Sequence, residues 1–125
     1  MSITEYSPSN HKLKLFKESS LYHRKEEYKR INIKYPDRIP IIVEASGKNC
    51  PPIDKHKFLT PCNLTIGQFQ FVIRSRIKLK AEEALYLFIN NSLPSASDLL
   101  SSVYKRHCSE DGFLYITYAL ENTFG

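Results

Sequence analysis

The 125-residue chain has only four glycines, three cysteines and no apolar run near the ~20 residues a membrane-spanning helix needs. So few glycines leave no Gly-rich phosphate loop, and no paired-carboxylate arrangement stands out. Cys50, Cys62 and Cys108 are odd in number and include no Cys-x-x-Cys pair, which argues against a zinc site and for free thiols in a reducing compartment. The N-terminus lacks a signal-peptide core, so the expectation is a cytosolic chain unless something else anchors it. His107 precedes Cys108, but sequence neighbours on a helix point about 100° apart, so adjacency does not make a nucleophile–base dyad.

What is present fits one globular domain: 42% hydrophobic and 25% charged residues. Eighteen basic against 13 acidic side chains give a net charge of +5, which permits acidic peptides, anionic lipid or nucleic acid without selecting among them. Residues 1–11 show no periodicity and read as a flexible arm. Residues 12–34 form a basic helical subdomain. Leu13, Leu15 and Phe16 suggest a short first helix, and Leu21, Tyr28 and Ile31 share one stripe of a second that starts near Ser20. Its outer face is either simply solvated or a contact for an acidic partner. Nucleic acid ranks third, because Glu18, Glu26 and Glu27 dilute the positive field.

Residues 35–120 read as the core. Pro36 ends the helix, and Ile39 to Glu44 is rich in β-branched residues and reads as a strand. Lys55 to Pro61 is a second, lysine-flanked strand closed by proline, features of an open edge. Such an edge can accept an extended peptide, and Arg38, Lys55 and Lys57 would favour acidic residues in it; the same lysines can merely keep the edge soluble. Thr65 and Gln68 match a capping box ahead of Ile66, Phe69, Val72, Ile73 and Ile77 at helical spacing. Burying those five side chains contributes on the order of 10 kcal/mol before entropy. Ala84 to Ile89 reads as a strand in which either Tyr86 and Phe88 or Leu85, Leu87 and Ile89 face away from the core if one face is wet, a covered face being just as common. Asn90 to Ser95 reads as a turn, and Asp98 is placed to cap a last helix through Leu99, Leu100, Val103 and Tyr104. Phe113 to Leu120 is a nearly continuous apolar strand suited to a sheet interior, and residues 121–125 read as a flexible tail. After the two leading helices the order is β-β-α-β-α-β. The fold class is therefore α+β, a ubiquitin-like β-grasp with two additional N-terminal helices.

Four motifs in order, Lys34–Pro40, Leu64–Phe69, Asp111–Tyr115 and Glu121–Gly125, resemble the autophagy ubiquitin-like modifier (autophagy-related protein eight, or GABARAP) family. The resemblance spans Phe16 to Gly125. It implies a modifier, not a catalyst, whose Gly125 is passed by an E1-like activating enzyme and an E2-like carrier enzyme to the amine of phosphatidylethanolamine. The lipidated form would decorate autophagosomal membranes, and a cysteine protease would deconjugate it. Receptors would add an aromatic-x-x-aliphatic peptide as a strand. The resemblance implies an aromatic pocket of Glu27, Ile31, Pro40, Ile42, Lys57, Leu59 and Phe113. It implies an aliphatic pocket of Phe58, Thr60, Pro61, Leu64, Phe69 and Val72, with Thr60 where an aliphatic residue is usual. Arg38, Lys55 and Arg76 would meet acidic groups, and Tyr86 and Phe88 fall where the family uses surface aromatics. No metal and no cofactor beyond the conjugated lipid is implied. The alternative is a non-conjugated trafficking or microtubule adaptor of the same fold.

Overall fold

A computed structural model describes residues 4–5, by backbone alone, and residues 16–46 and 50–120. The elements in order are β1 (Thr4–Glu5), a 3-10 turn (Phe16–Glu18), α1 (Leu21–Lys34), β2 (Arg38–Ala45), β3 (Lys57–Pro61), α2 (Ile66–Arg76), β4 (Tyr86–Phe88), α3 (Leu100–His107) and β5 (Leu114–Ala119). The strands form one five-stranded sheet in the order β1-β3-β2-β5-β4. β5 runs parallel to β2, and the other pairs are antiparallel. The closing strand thus lies in the sheet interior, as expected, beside the first strand of the grasp.

Local chemistry explains most boundaries. The Ser20 side chain accepts from the His23 N–H at the start of α1, and Thr65 and Gln68 complete a reciprocal capping box on α2. Asn90 and Asn91 take left-handed backbone angles (φ 52° and 64°), and Ile89 bridges to Ser92 across them. That is the two-residue turn chemistry expected of consecutive asparagines.

Four expectations need correction. Instead of the first helix, the described chain has a single 3-10 turn at Phe16–Glu18; Leu13 and Leu15 lie outside the described residues. Thr4 and Glu5 of the expected arm form β1, and the rest of that arm, like the tail 121–125, lies outside the described residues. Consequently the edge expected to be open is paired: Thr4 faces Leu59 and Glu5 faces Phe58. Asp98 does not cap α3, whose N-cap is Leu99 with no side-chain cap. Its carboxylate instead accepts from the Ser95 N–H and pairs with Arg106, and the first helical N–H groups find main-chain acceptors across the fold. Leu100 N–H donates to Leu64 O at 2.8 Å and Ser101 N–H to Cys62 O at 3.2 Å.

The sheet carries a core on each face. Toward α2 and α3 lie Ile41, Val43, Phe58, Leu64, Phe69, Ile73, Leu87, Val103, Leu114, Ile116 and Tyr118. Toward α1 lies a smaller cluster of Ile31, Ile42, Leu59 and Phe113, with Phe16, Tyr28, Tyr35 and Tyr115 packed against it. Among the described residues no helix is long and apolar enough to cross a membrane.

Candidate functional site: the two faces of the β3 edge

β3 is short, and its side chains alternate between the two cores. Phe58 joins the α2 side, and Leu59 the α1 side. Its main-chain groups alternate too. Val43 N–H donates to His56 O, so the hydrogen-bonded pairs of the antiparallel β2–β3 ladder continue at Ile41↔Phe58 and Ile39↔Thr60. The prolines fall in the other phase, at Pro40↔Leu59 and Arg38↔Pro61, where β2–β3 pairing needs no N–H from them. Lys57, Leu59 and Pro61 therefore turn their main-chain groups away from β2, toward β1.

The residues expected in the aromatic pocket come together on the α1 face. Ile31, Ile42, Leu59 and Phe113 form the small core, each no more than 4% exposed. Glu27 and Lys57 border it as a buried ion pair, with Lys57 Nζ 2.9 Å from Glu27 Oε2. Burial pushes the Lys57 ammonium below its usual lysine range, against the opposing hydrogen bond and charge of Glu27. Pro40 is buried in β2, opposite Leu59.

The opposite face holds the expected aliphatic set. Phe58, Leu64 and Phe69 belong to the larger core, with Phe58 and Phe69 edge to face at 5.8 Å between ring centroids. Thr60 is fully buried, and its hydroxyl donates to Ile39 O at 3.4 Å, which satisfies the polar atom in an apolar wall. Pro61 and Val72 are half-buried at its margin. Arg38 opens β2 opposite Pro61, Lys55 lies two residues before β3, and Arg76 closes α2.

Other expectations fare differently. Tyr86 is half-buried on β4, but Phe88 is 2% exposed and is no surface aromatic. Leu87 and Ile89 enter the α2-side core, and the strand is covered at Phe88 on its other face as well, the covered-face alternative. Gly125 lies outside the described residues. The His107 ring meets the Asn90 amide at 3.1 Å, not Cys108, and Cys62 and Cys108 are exposed free thiols.

Periodicity missed the network that holds this face together. Asp111 is 1% exposed and accepts from Arg24 Nε at 2.9 Å, from Phe113 N–H at 2.9 Å and from the Tyr115 hydroxyl. Arg24 Nη1 also donates to the carbonyls of Lys17 and Ser19, tying the 3-10 turn to α1. Gly112, at φ 98°, lies so close to Tyr28 that a Cβ there would fall 2.4 Å from Tyr28 Cγ. The signal in sequence was the acidic-Gly-aromatic run itself, which reads only as a turn.

With this geometry in hand, comparison with known proteins is direct. Residues 23–125 match the family model for the ubiquitin-like autophagy protein Atg8. Autophagy-related protein 8a of Arabidopsis thaliana is 55% identical over 103 residues, 82% of this chain and 84% of that protein. Autophagy-related protein 8 of Schizosaccharomyces pombe is 55% identical over 107 residues, 85% of this chain and 88% of that protein. Among solved structures, Trypanosoma brucei ATG8 aligns with a TM-score of 0.79 at 35% identity, covering 95% of this chain and all of that one. Plasmodium falciparum Atg8, solved with a Plasmodium falciparum Atg3 peptide, aligns with a TM-score of 0.76 at 36% identity over 84% of this chain and 94% of that one. A ubiquitin-like sheet, two side-chain clusters flanking one strand edge and these matches lead to one conclusion: the chain belongs to the Atg8 family of ubiquitin-like autophagy proteins.

Proposed function

We propose that this protein is a conjugated modifier that recruits peptide-bearing partners at the β3 edge. An E1-like and an E2-like enzyme pass Gly125 to phosphatidylethanolamine, a cysteine protease releases it, and the lipidated form resides on autophagosomal membranes. The chain is the substrate of those enzymes, not a catalyst. Glycine suits the terminal position because it offers no side chain to obstruct a narrow enzyme channel.

One observation carries the peptide part. On an extended strand, positions i and i+3 point to opposite faces. An aromatic-x-x-aliphatic segment paired with β3 therefore sends its aromatic anchor toward Ile31, Leu59 and Phe113, and its aliphatic anchor toward Phe58, Leu64 and Phe69. Arg38, Lys55 and Arg76 supply positive charge for acidic flanking residues. The Plasmodium falciparum relative solved with an Atg3 peptide supports this reading.

The deciding experiment is a gel-shift assay with the two enzymes, ATP and liposomes containing phosphatidylethanolamine. Gly125→Ala is expected to block the shifted band while far-UV circular dichroism stays unchanged; undiminished conjugation of the variant overturns the modifier reading. Titration with an aromatic-x-x-leucine peptide is expected to move the amide resonances of residues 57–60. Unmoved resonances there remove the groove.

A further inference from the structure

Two features of the described N-terminal residues bear on that groove. The first is β1: Thr4 stands opposite Leu59, in the phase where Leu59 turns its N–H and C=O away from β2. By ladder alternation Thr4↔Leu59 is a hydrogen-bonded pair and Glu5↔Phe58 is not. The second feature is Phe16. Its ring meets Phe113 edge to face at 4.9 Å and Tyr115 at 6.5 Å, and Lys57 Nζ lies 3.9 Å from its centroid. Next to it, Lys17 Nζ lies 4.2 Å above the Tyr115 ring. An aromatic ring and a paired strand are the two things an incoming peptide would bring, and the chain supplies both itself.

We infer that the N-terminal segment is a resident occupant of the peptide groove, with β1 on the β3 edge and Phe16 on the aromatic face, so that a partner peptide binds only by displacing it. This rests on the peptide-groove reading above. It explains why the four core residues of the aromatic face are no more than 4% exposed without any ligand. Displacement sets a threshold. Apparent affinity falls by the fraction of molecules with a vacant groove, so a segment docked nine-tenths of the time weakens binding about tenfold. Weak or mismatched peptides are then excluded, and a modification or partner that removes the segment opens the site.

The register makes the test specific. Proline at position 4 removes the N–H that bonds Leu59, whereas proline at position 5 removes an N–H pointing away from β3. The full chain and its Thr4→Pro, Glu5→Pro and Phe16→Ala variants are titrated with one fluorescent acidic aromatic-x-x-leucine peptide. Amide exchange at Leu59 is measured without peptide. Expected are about fivefold or greater tightening for Thr4→Pro, tightening for Phe16→Ala, and Glu5→Pro within about twofold of the parent. The Leu59 amide is expected to exchange faster in Thr4→Pro than in the parent. Equal affinities across all four proteins, or weaker binding by Phe16→Ala, overturn the occupant while the groove stands. Equal Leu59 exchange in parent and Thr4→Pro overturns it too, whatever Phe16→Ala does to folding. Binding by none of the four removes the groove reading, and this inference with it.

Discussion

Lys57 Nζ on β3 and Glu27 Oε2 on α1 form an ion pair at 2.9 Å, with side chains only 10% and 11% exposed, and this pair borders the aromatic face. Removing one charge leaves the other desolvated, which costs more than the pair itself contributes. Glu27→Gln is expected to destabilise the fold by about 3 kcal/mol in urea titrations. The double change Glu27→Leu, Lys57→Met should recover most of that, since apolar replacements of similar volume are tolerated where a buried pair stood.

Gly112 has no room for a side chain. Its φ of 98° disfavours any L residue, and a Cβ would meet the Tyr28 ring at 2.4–2.6 Å. Gly112→Ala is expected to cost about 2–4 kcal/mol from backbone strain and overpacking together. Because Tyr28 also contacts Phe113, at 6.1 Å between centroids, peptide-induced shifts on the aromatic face should diminish in the same variant.

Asp111 gathers Arg24, the Phe113 N–H and the Tyr115 hydroxyl about one buried carboxylate. Asp111→Asn keeps the shape but removes the charge and turns donors toward donors. A loss of about 2–4 kcal/mol is expected by thermal or urea unfolding. Burial first, and then the hydrogen bond and charge of Asp111, hold the Tyr115 phenol up, so it should titrate at lower pH in the variant.

Alkaline pH should unfold the protein steeply. Burial pushes the Tyr118 phenol up to about 12, helped by Cys50, and raises Tyr104 and Tyr115 further still. A phenol that ionises at higher pH when folded than when unfolded favours the native state until that range is crossed. Stability therefore falls as pH rises from about 10, the ordinary tyrosine value, toward 12. Lys57 has the opposite sign: its lowered value means stability rises as pH approaches the ordinary lysine value near 10.5. Exposed phenols such as Tyr22 add their own 295 nm absorbance, but the last part of the rise should come only together with loss of far-UV ellipticity. Full phenolate absorbance reached with ellipticity unchanged would contradict the burial of these three rings.

Local rules found the elements that local chemistry makes. The Ser20 cap, the Thr65–Gln68 box and the asparagine turn each satisfy their own main-chain groups within a few residues, so their signal is short and complete. β1 is two residues long and exists only because Leu59 offers an unused ladder position, which no local pattern encodes. The start of α3 was misread for a related reason: carbonyls of Cys62 and Leu64 do the work assigned to Asp98. The surface position of Phe88 is implied by the family resemblance alone, since alternation separates two faces without revealing which are covered, and Phe88 is buried. Of the proposed groove, the edge strand and its charges were legible in the sequence. The convergence of Glu27, Ile31 and Phe113 came from family resemblance, since those residues are far apart in the chain and meet only across α1 and the sheet.

The phase of Pro61 on β3 limits how firmly anything can hold on at this border. Of Lys57, Leu59 and Pro61, the last has no N–H, so an added strand finds two donors, Lys57 and Leu59, beside the outward carbonyls. At roughly 1 kcal/mol net per main-chain bond, such a short seam falls below the ~8 kcal/mol of a micromolar complex. Partners that dwell here must be selected by the rings and branched chains they insert, and those inserting little will come and go quickly.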